Sequence, residues 1–143
     1  MIFETSTDLR HLNAYIYSAK VYHYMMKKLF LDDIRTIDMV YDKSREEEFD
    51  IVRTYDAFVT YIKSKGLPKY ISFDNDLGLD SDGNVAKDGY ACVKWLVYKS
   101  GLDLTDLDFY VHSANPVAAE QIKSLLKNYI AHQKSEDYKE HTK

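Results

Sequence analysis

Short apolar runs alternate with stretches of helical period through the middle of the chain. Lys28 to Leu31, Phe49 to Arg53, Tyr70 to Phe73 and Leu107 to Val111 are short, mostly apolar or aromatic, and bounded by polar residues. Runs of this kind suit strands buried in a parallel sheet. After the second run, Thr54 can cap a helix whose inner stripe is Ala57, Phe58, Tyr61 and Ile62; Gly66 ends it and Pro68 prevents its return. A Gly- and Asp-rich loop from Gly78 to Asp88 leads into a helix from Gly89 to Lys99, with Val93, Leu96 and Val97 inward and Gly101 as its stop. Asn115 as cap and Pro116 as first helical residue open a last helix, in which Ile122, Leu125, Leu126, Tyr129 and Ile130 recur at three and four. Ile34 to Glu48 has no such period and predicts a loop with a short helix, its Glu46-Glu47-Glu48 run a solvated face. Repeated strand-helix units imply right-handed crossovers and an α/β fold, a parallel sheet sandwiched by helices.

The two ends differ from this middle. Residues 1–25 hold Tyr15, Tyr17, Tyr22 and Tyr24, and Leu9, Leu12, Ile16 and Ala19 recur at helical spacing, though the alternation through Tyr15, Tyr17 and Val21 also permits a strand. They read as an N-terminal extension of unknown role, an added element or an overlong gene start, because Met26-Lys27-Lys28 resembles an ordinary beginning. Residues 26–132 form the domain, and 133–143 are a polar tail of mixed charge that should fray.

Composition narrows the class. A chain of 143 residues with 45% apolar and 29% charged residues is that of a globular protein able to bury its own core. The formal net charge of −4 argues against a sequence-independent grip on long duplex nucleic acid, while leaving room for a small nucleotide or an RNA end. The one cysteine, Cys92, lies in an apolar helical pattern, reads as core and fits a reducing cytoplasm. No stretch is long and apolar enough for a membrane span, and the first residues lack a signal-peptide layout.

Polar chemistry gathers where the apolar runs stop. Asp32-Asp33 follows the first, Asp74-Asn75-Asp76 the third and His112-Ser113 the fourth, and the carboxyl ends of parallel strands line one crevice. Adjacent carboxylates brought together there repel unless a cation neutralises them, so Asp32, Asp33 and Asp74 are assigned to magnesium or another divalent cation; a loop-capping pair is the plainer alternative for Asp32-Asp33. His112 is a candidate general acid or base, with a hydrogen-bonded structural role as its alternative. Ser113 and the amides opening the helix after Asn115-Pro116 offer an anion cradle, alongside simple capping by Asn115. Arg35 approaches a phosphate or makes a surface ion pair. Asp76, Asp80, Asp82 and Asp88 are less distinctive, and Asp80-Ser81-Asp82-Gly83-Asn84 reads as a turn because the calcium-loop spacing is missing. His11, His23, His132 and His141 fall in the extension or near the tail, and there is no Gly-rich phosphate loop, Cys-x-x-Cys pair or serine nucleophile elbow.

Leu29-Phe30-Leu31-Asp32-Asp33-Ile34-Arg35, Ile71-Ser72-Phe73-Asp74-Asn75-Asp76-Leu77-Gly78, Asp88-Gly89-Tyr90 and Val111-His112-Ser113-Ala114-Asn115-Pro116 together resemble the cyclic-phosphate processing receiver domain family, a divergent branch of the response-regulator receiver fold. The likeness covers about residues 26 to 131. It implies a Rossmann-like three-layer, receiver-like domain, with Asp32 and Asp33 matching the receiver's metal-binding pair and Asp74 standing at the phosphorylated aspartate. The family is associated with recognising or processing cyclic phosphates, in settings that include RNA repair. Two departures stand out: Asn75 occupies the place of a histidine usual in the family, and no fifth strand with a sensing lysine follows Ser113. A phosphorelay switch is thereby disfavoured. The expectation is metal-dependent hydrolysis of a cyclic phosphate on a nucleotide or an RNA 2′,3′-cyclic phosphate end, with Asp74 and His112 catalytic and Ser113, Asn115 and Arg35 on the phosphate. In that scheme His112 moves the proton, or Asp74 attacks phosphorus. The alternative is a module that binds cyclic nucleotide or phosphate without turnover.

Overall fold

The computed structural model describes residues 13–14 and 27–142. The expectations for residues 1–25 lie almost wholly outside the described residues. Four strands, β1 (Lys28–Leu31), β2 (Phe49–Val52), β3 (Tyr70–Phe73) and β4 (Asp108–Val111), form one parallel sheet in the order β2-β1-β3-β4. Three α-helices follow β2, β3 and β4 in turn: α1 (Tyr55–Lys65), α2 (Gly89–Tyr98) and α3 (Pro116–His141). Two short 3-10 helices, Ile37–Met39 and Lys43–Glu48, fill the β1–β2 connection, where the sequence lacks a helical period.

Strand alternation divides the sheet into unequal faces. Leu29, Leu31, Val52, Ile71, Phe73 and Val111 pack with Phe58 and Ile62 of α1, Cys92, Val93 and Leu96 of α2, and Ile122, Leu126 and Ile130 of α3. Each of these three helices thus shares this one large core, and Cys92 is buried in it as expected. On the opposite face Phe30 and Phe49 meet Ile37, with Val40, Tyr41 and Tyr70 at the margin. The 3-10 segments are therefore the cover of that face among the described residues.

Local signals act where the sequence puts them. Thr54 accepts a hydrogen bond from the Ala57 N–H, Asp88 from Ala91 N–H, and Asn115 from the Val117 and Ala118 N–H groups ahead of Pro116. Gly66, at φ 88°, ends α1 in a conformation that a side chain disfavours. The Asp80 loop is a turn: Asp80 Oδ1 accepts from the Asp82 and Asn84 N–H groups and its carbonyl from Gly83. Thr54→Ala should lower stability by about 1 kcal/mol, read as a lower urea midpoint with unchanged slope.

One boundary differs from expectation. α3 continues through His141 instead of fraying from residue 133. Gln133 anchors the start of this stretch: its Oε1 accepts from the Leu104 N–H and its Nε2 donates to the Leu102 carbonyl, tying the helix to the α2–β4 connection. Among the described residues there is no fifth strand and no helix long and apolar enough to cross a membrane.

Candidate functional site

Register aligns the chemistry. Leu31 is level with Val52 and Phe73, and Phe73 with Val111, so the next residue on each strand falls in one row: Asp32, Arg53, Asp74 and His112. Backbone bonds extend the ladder by that rung, from Asp32 N–H to Val52, Asp74 N–H to Leu31 and His112 N–H to Phe73. The chain leaves β1 towards β2 and returns past it to β3, and this reversal opens a crevice beyond β1 and β3.

Asp32 is fully buried and fully engaged. Its Oδ1 accepts from the Ile34 and Arg35 N–H groups at 3.0 and 2.7 Å; its Oδ2 accepts from the Arg35 guanidinium at 3.1 Å and lies 2.9 Å from His112 Nε2. Burial alone would raise its pKa, but these hydrogen bonds outweigh it and hold the carboxyl below the ordinary value. Arg53, beside it on β2, donates to the Asp32 and Arg35 carbonyls and clamps the turn.

Asp74 is 5% exposed and less well compensated. Its Oδ1 accepts from the Asn75 N–H at 2.8 Å and lies 3.5 Å from Arg35, while Asp32 and Asp33 are like charges nearby. Desolvation is the main reason that its pKa rises to about 6, with the neighbouring carboxylates adding to it. A carbon-detected titration should give an Asp74 midpoint near 6; a midpoint near 4 would mean a solvated carboxylate.

A cavity of about 380 Å³ opens over this row, lined by Asp33, Ile34, Arg35, Asp74, Asp76, Ser113, Ala114 and Asn115. Most of the expected site residues thus converge on one space. Within it, Asn115 acts as a cap: its side chain takes the first free amides of α3, and its own N–H donates to Ser113 Oγ. Ser113 and Ala114, which also line the cavity, stand one step before this cap, and their N–H groups are the candidate anion donors. Asp33 lines the cavity beside Gly78, whose position leaves space for the carboxylate: a Cβ there would stand 2.9 Å from Asp33 Oδ2.

His112 stands behind this wall. Its side chain is 2% exposed, Nε2 meets Asp32, Nδ1 lies 2.7 Å from Ser72 Oγ, and the ring stacks on Phe30 at 4.6 Å. Burial lowers its pKa although the Asp32 bond pulls the other way. Asp32, Asp74 and His112 offer donor atoms within 4.8 Å of one another, the one grouping of its kind among the described residues, and Asp33 is not part of it. Asn75 has an architectural role, its Oδ1 accepting from the Tyr90 N–H and its carbonyl from Gly89 at the start of α2.

The sequence reading missed Ser72, Tyr41, Arg53 and the close approach at Gly89. Ser72 had a signal: it lies two residues before Asp74, hence on the same face of β3.

A parallel sheet in this order, with carboxylates ending its two central strands, defines a receiver-like α/β domain. The family model of the cyclic-phosphate processing Receiver domain matches residues 27–128, and the chain belongs to that family. No curated protein and no solved structure gives a significant match.

Proposed function

We propose that the protein hydrolyses a cyclic phosphate on a nucleotide or an RNA end to a phosphomonoester. The observation supporting this most is the mixed chemistry of one cavity: Asp33, Asp74 and Asp76 share it with Arg35, Ser113, Ala114 and Asn115. Asp32 and Asp74, whose donor atoms lie within 4.8 Å of each other, would hold a divalent cation once Arg35 has left the Asp32 Oδ2, with Asp33 joining them from the cavity wall; magnesium is the hard ion that combines a few carboxylates with phosphate oxygens. The geometry supports the fit: Asp33, Asp74 and Asp76 face one cavity in which Arg35 is the cationic side chain among the lining residues. Such a cation, when bound, neutralises the cluster and polarises the phosphodiester.

The chain's own groups do the rest. The Ser113 hydroxyl and the Ser113 and Ala114 amides donate to phosphate oxygens, and the part-exposed Arg35 turns from the carboxylates to the phosphate. Asp74 orients a water and takes its proton as the water oxygen bonds to phosphorus. One phosphorus–oxygen ester bond breaks, and the departing ribose oxygen takes a proton from solvent. His112 moves no proton here, because both its nitrogens are engaged behind Asp32.

Arg35 also favours a second reading. It already bridges Asp32 and Asp74 at 3.1 and 3.5 Å, which suits a site that captures a cyclic phosphate without turning it over. Phosphorus NMR of the purified protein with magnesium, RNA ending in 2′,3′-cyclic phosphate and a panel of cyclic nucleotides separates the two. Release of a phosphomonoester supports hydrolysis; a ligand-dependent thermal shift with unchanged substrate supports a sensor.

A further inference from the structure

A file of hydroxyl groups runs away from the acidic pocket on the thinly covered face of the sheet. Tyr70 Oη lies 2.9 Å from Tyr41 Oη, Tyr41 donates to Ser72 Oγ at 2.8 Å, and Ser72 Oγ lies 2.7 Å from His112 Nδ1. His112 Nε2 then meets Asp32 Oδ2 at 2.9 Å. Each hydroxyl has one proton to give, and that fixes the direction of the whole file. An ionised carboxylate only accepts, so Nε2 carries the imidazole hydrogen. The neutral ring then presents a lone pair at Nδ1, which Ser72 must fill with its only O–H. Ser72 accepts from Tyr41 in turn, and Tyr41, its proton spent, accepts from Tyr70. Among the described residues every buried side-chain polar atom has a hydrogen-bond partner.

We infer that Ser72, backed by Tyr41, is a positioning residue for the acidic centre: it fixes His112 as the Nε2–H tautomer and so holds Asp32 Oδ2 in one orientation beside the cavity. Packing supports the same end. Phe30 lies parallel to the imidazole, with an angle of 4° between the ring planes, and so restricts its tilt, while the hydrogen bonds at both nitrogens resist rotation within its plane. The Nδ1–H tautomer would set the Nε2 lone pair against the Asp32 carboxylate and leave the Ser72 hydroxyl without an acceptor. The file is longer than capping of one histidine requires, and its far end, Tyr41 and Tyr70, is locked by contacts with Phe30 and Phe49. Second-layer hydrogen bonds of this kind set the orientation and basicity of the groups in front, and their loss commonly costs about 10- to 100-fold in metal affinity.

The inference rests on cation binding at Asp32 and Asp74, as in the proposed function, but not on turnover. Long-range nitrogen–proton correlation spectra of the native protein should show His112 with Nε2 protonated and Nδ1 bare. In Ser72→Ala the Nδ1 resonance should move towards that of a free lone pair, and the dissociation constant for magnesium alone, from calorimetry, should rise about tenfold. Tyr41→Phe removes one oxygen and keeps the ring packing, so it stays folded should Ser72→Ala not, and its magnesium affinity should fall a few-fold. An Nδ1–H tautomer, an imidazolium, absent magnesium binding in the native protein, or native affinity in the folded variants overturns the inference. Weakened magnesium binding in the variants with no turnover of any cyclic phosphate would leave it standing and remove the hydrolase reading. Turnover with native magnesium affinity in both variants would do the reverse.

Discussion

Asp74→Asn should reduce hydrolysis of a cyclic phosphate by at least about a hundredfold while raising stability at neutral pH. Asparagine keeps the shape and the Oδ1 acceptor for the Asn75 N–H, so the end of β3 has no reason to move. It cannot take a proton from water, and it contributes no charge to a cation. The stability change has the opposite sign, and linkage says why. The native carboxyl titrates near 6 against an ordinary value of 3.8, so between those pH values the folded state binds the extra proton. The favourable contribution is complete at low pH and is lost as pH rises through about 4 to 6. Above that window the buried charge is a burden, on the order of 3 kcal/mol at most for a shift of about two pKa units. The neutral amide does not carry this burden. Urea unfolding of both proteins at pH 5 and pH 8, beside a turnover assay, checks the pair of signs: the variant's advantage should appear at pH 8 and shrink at pH 5. Full activity would remove Asp74 from the chemistry, and equal stability at both pH values would mean that the carboxylate is well solvated.

Strand ends were readable because parallel pairing puts them in a row, and the residues that end a short apolar run are few. Asp32, Asp74 and His112 therefore fell together as expected, and Asn115 and Pro116 opened the last helix as their types require. What could not be read depended on neighbours in space. Arg53 matters only because β2 lies next to β1, which sequence order does not dictate. Tyr41 sits in a connection with no period, and nothing local says that its hydroxyl ends on Ser72. Ser72 reads as one polar residue in an apolar strand until the alternation is followed across to Phe30 and His112. The role expected for His112 changed for the same reason. A histidine at a strand end is visible in sequence; the two partners that occupy both of its nitrogens are not.

Gly89→Ala should damage fold and site together, which distinguishes it from Asp74→Asn. A Cβ at Gly89 would stand 1.9 Å from the Asp74 carbonyl oxygen, 2.9 Å from its carbon and 3.0 Å from the Asn75 Cα. All three are main-chain atoms, so no rotamer change relieves the contact. Either the start of α2 withdraws, breaking the Gly89 N–H bond to the Asn75 carbonyl, or the end of β3 shifts and takes Asp74 out of its row. Overpacking among side chains costs about 1–3 kcal/mol, and a main-chain collision of this depth should cost at least the upper figure. Set against a typical total of roughly 5–15 kcal/mol, that is a large share of the stability. Gly83→Ala is the control: its φ of 81° strains a side chain by about 1–2 kcal/mol, yet nothing lies within 4 Å and the site is untouched. Urea midpoints and magnesium affinity measured together should therefore show a moderate loss of stability alone for Gly83→Ala and a larger loss of both for Gly89→Ala. Native magnesium affinity in a folded Gly89→Ala protein would show that α2 withdraws without disturbing Asp74, and would place the close approach in the service of helix packing alone.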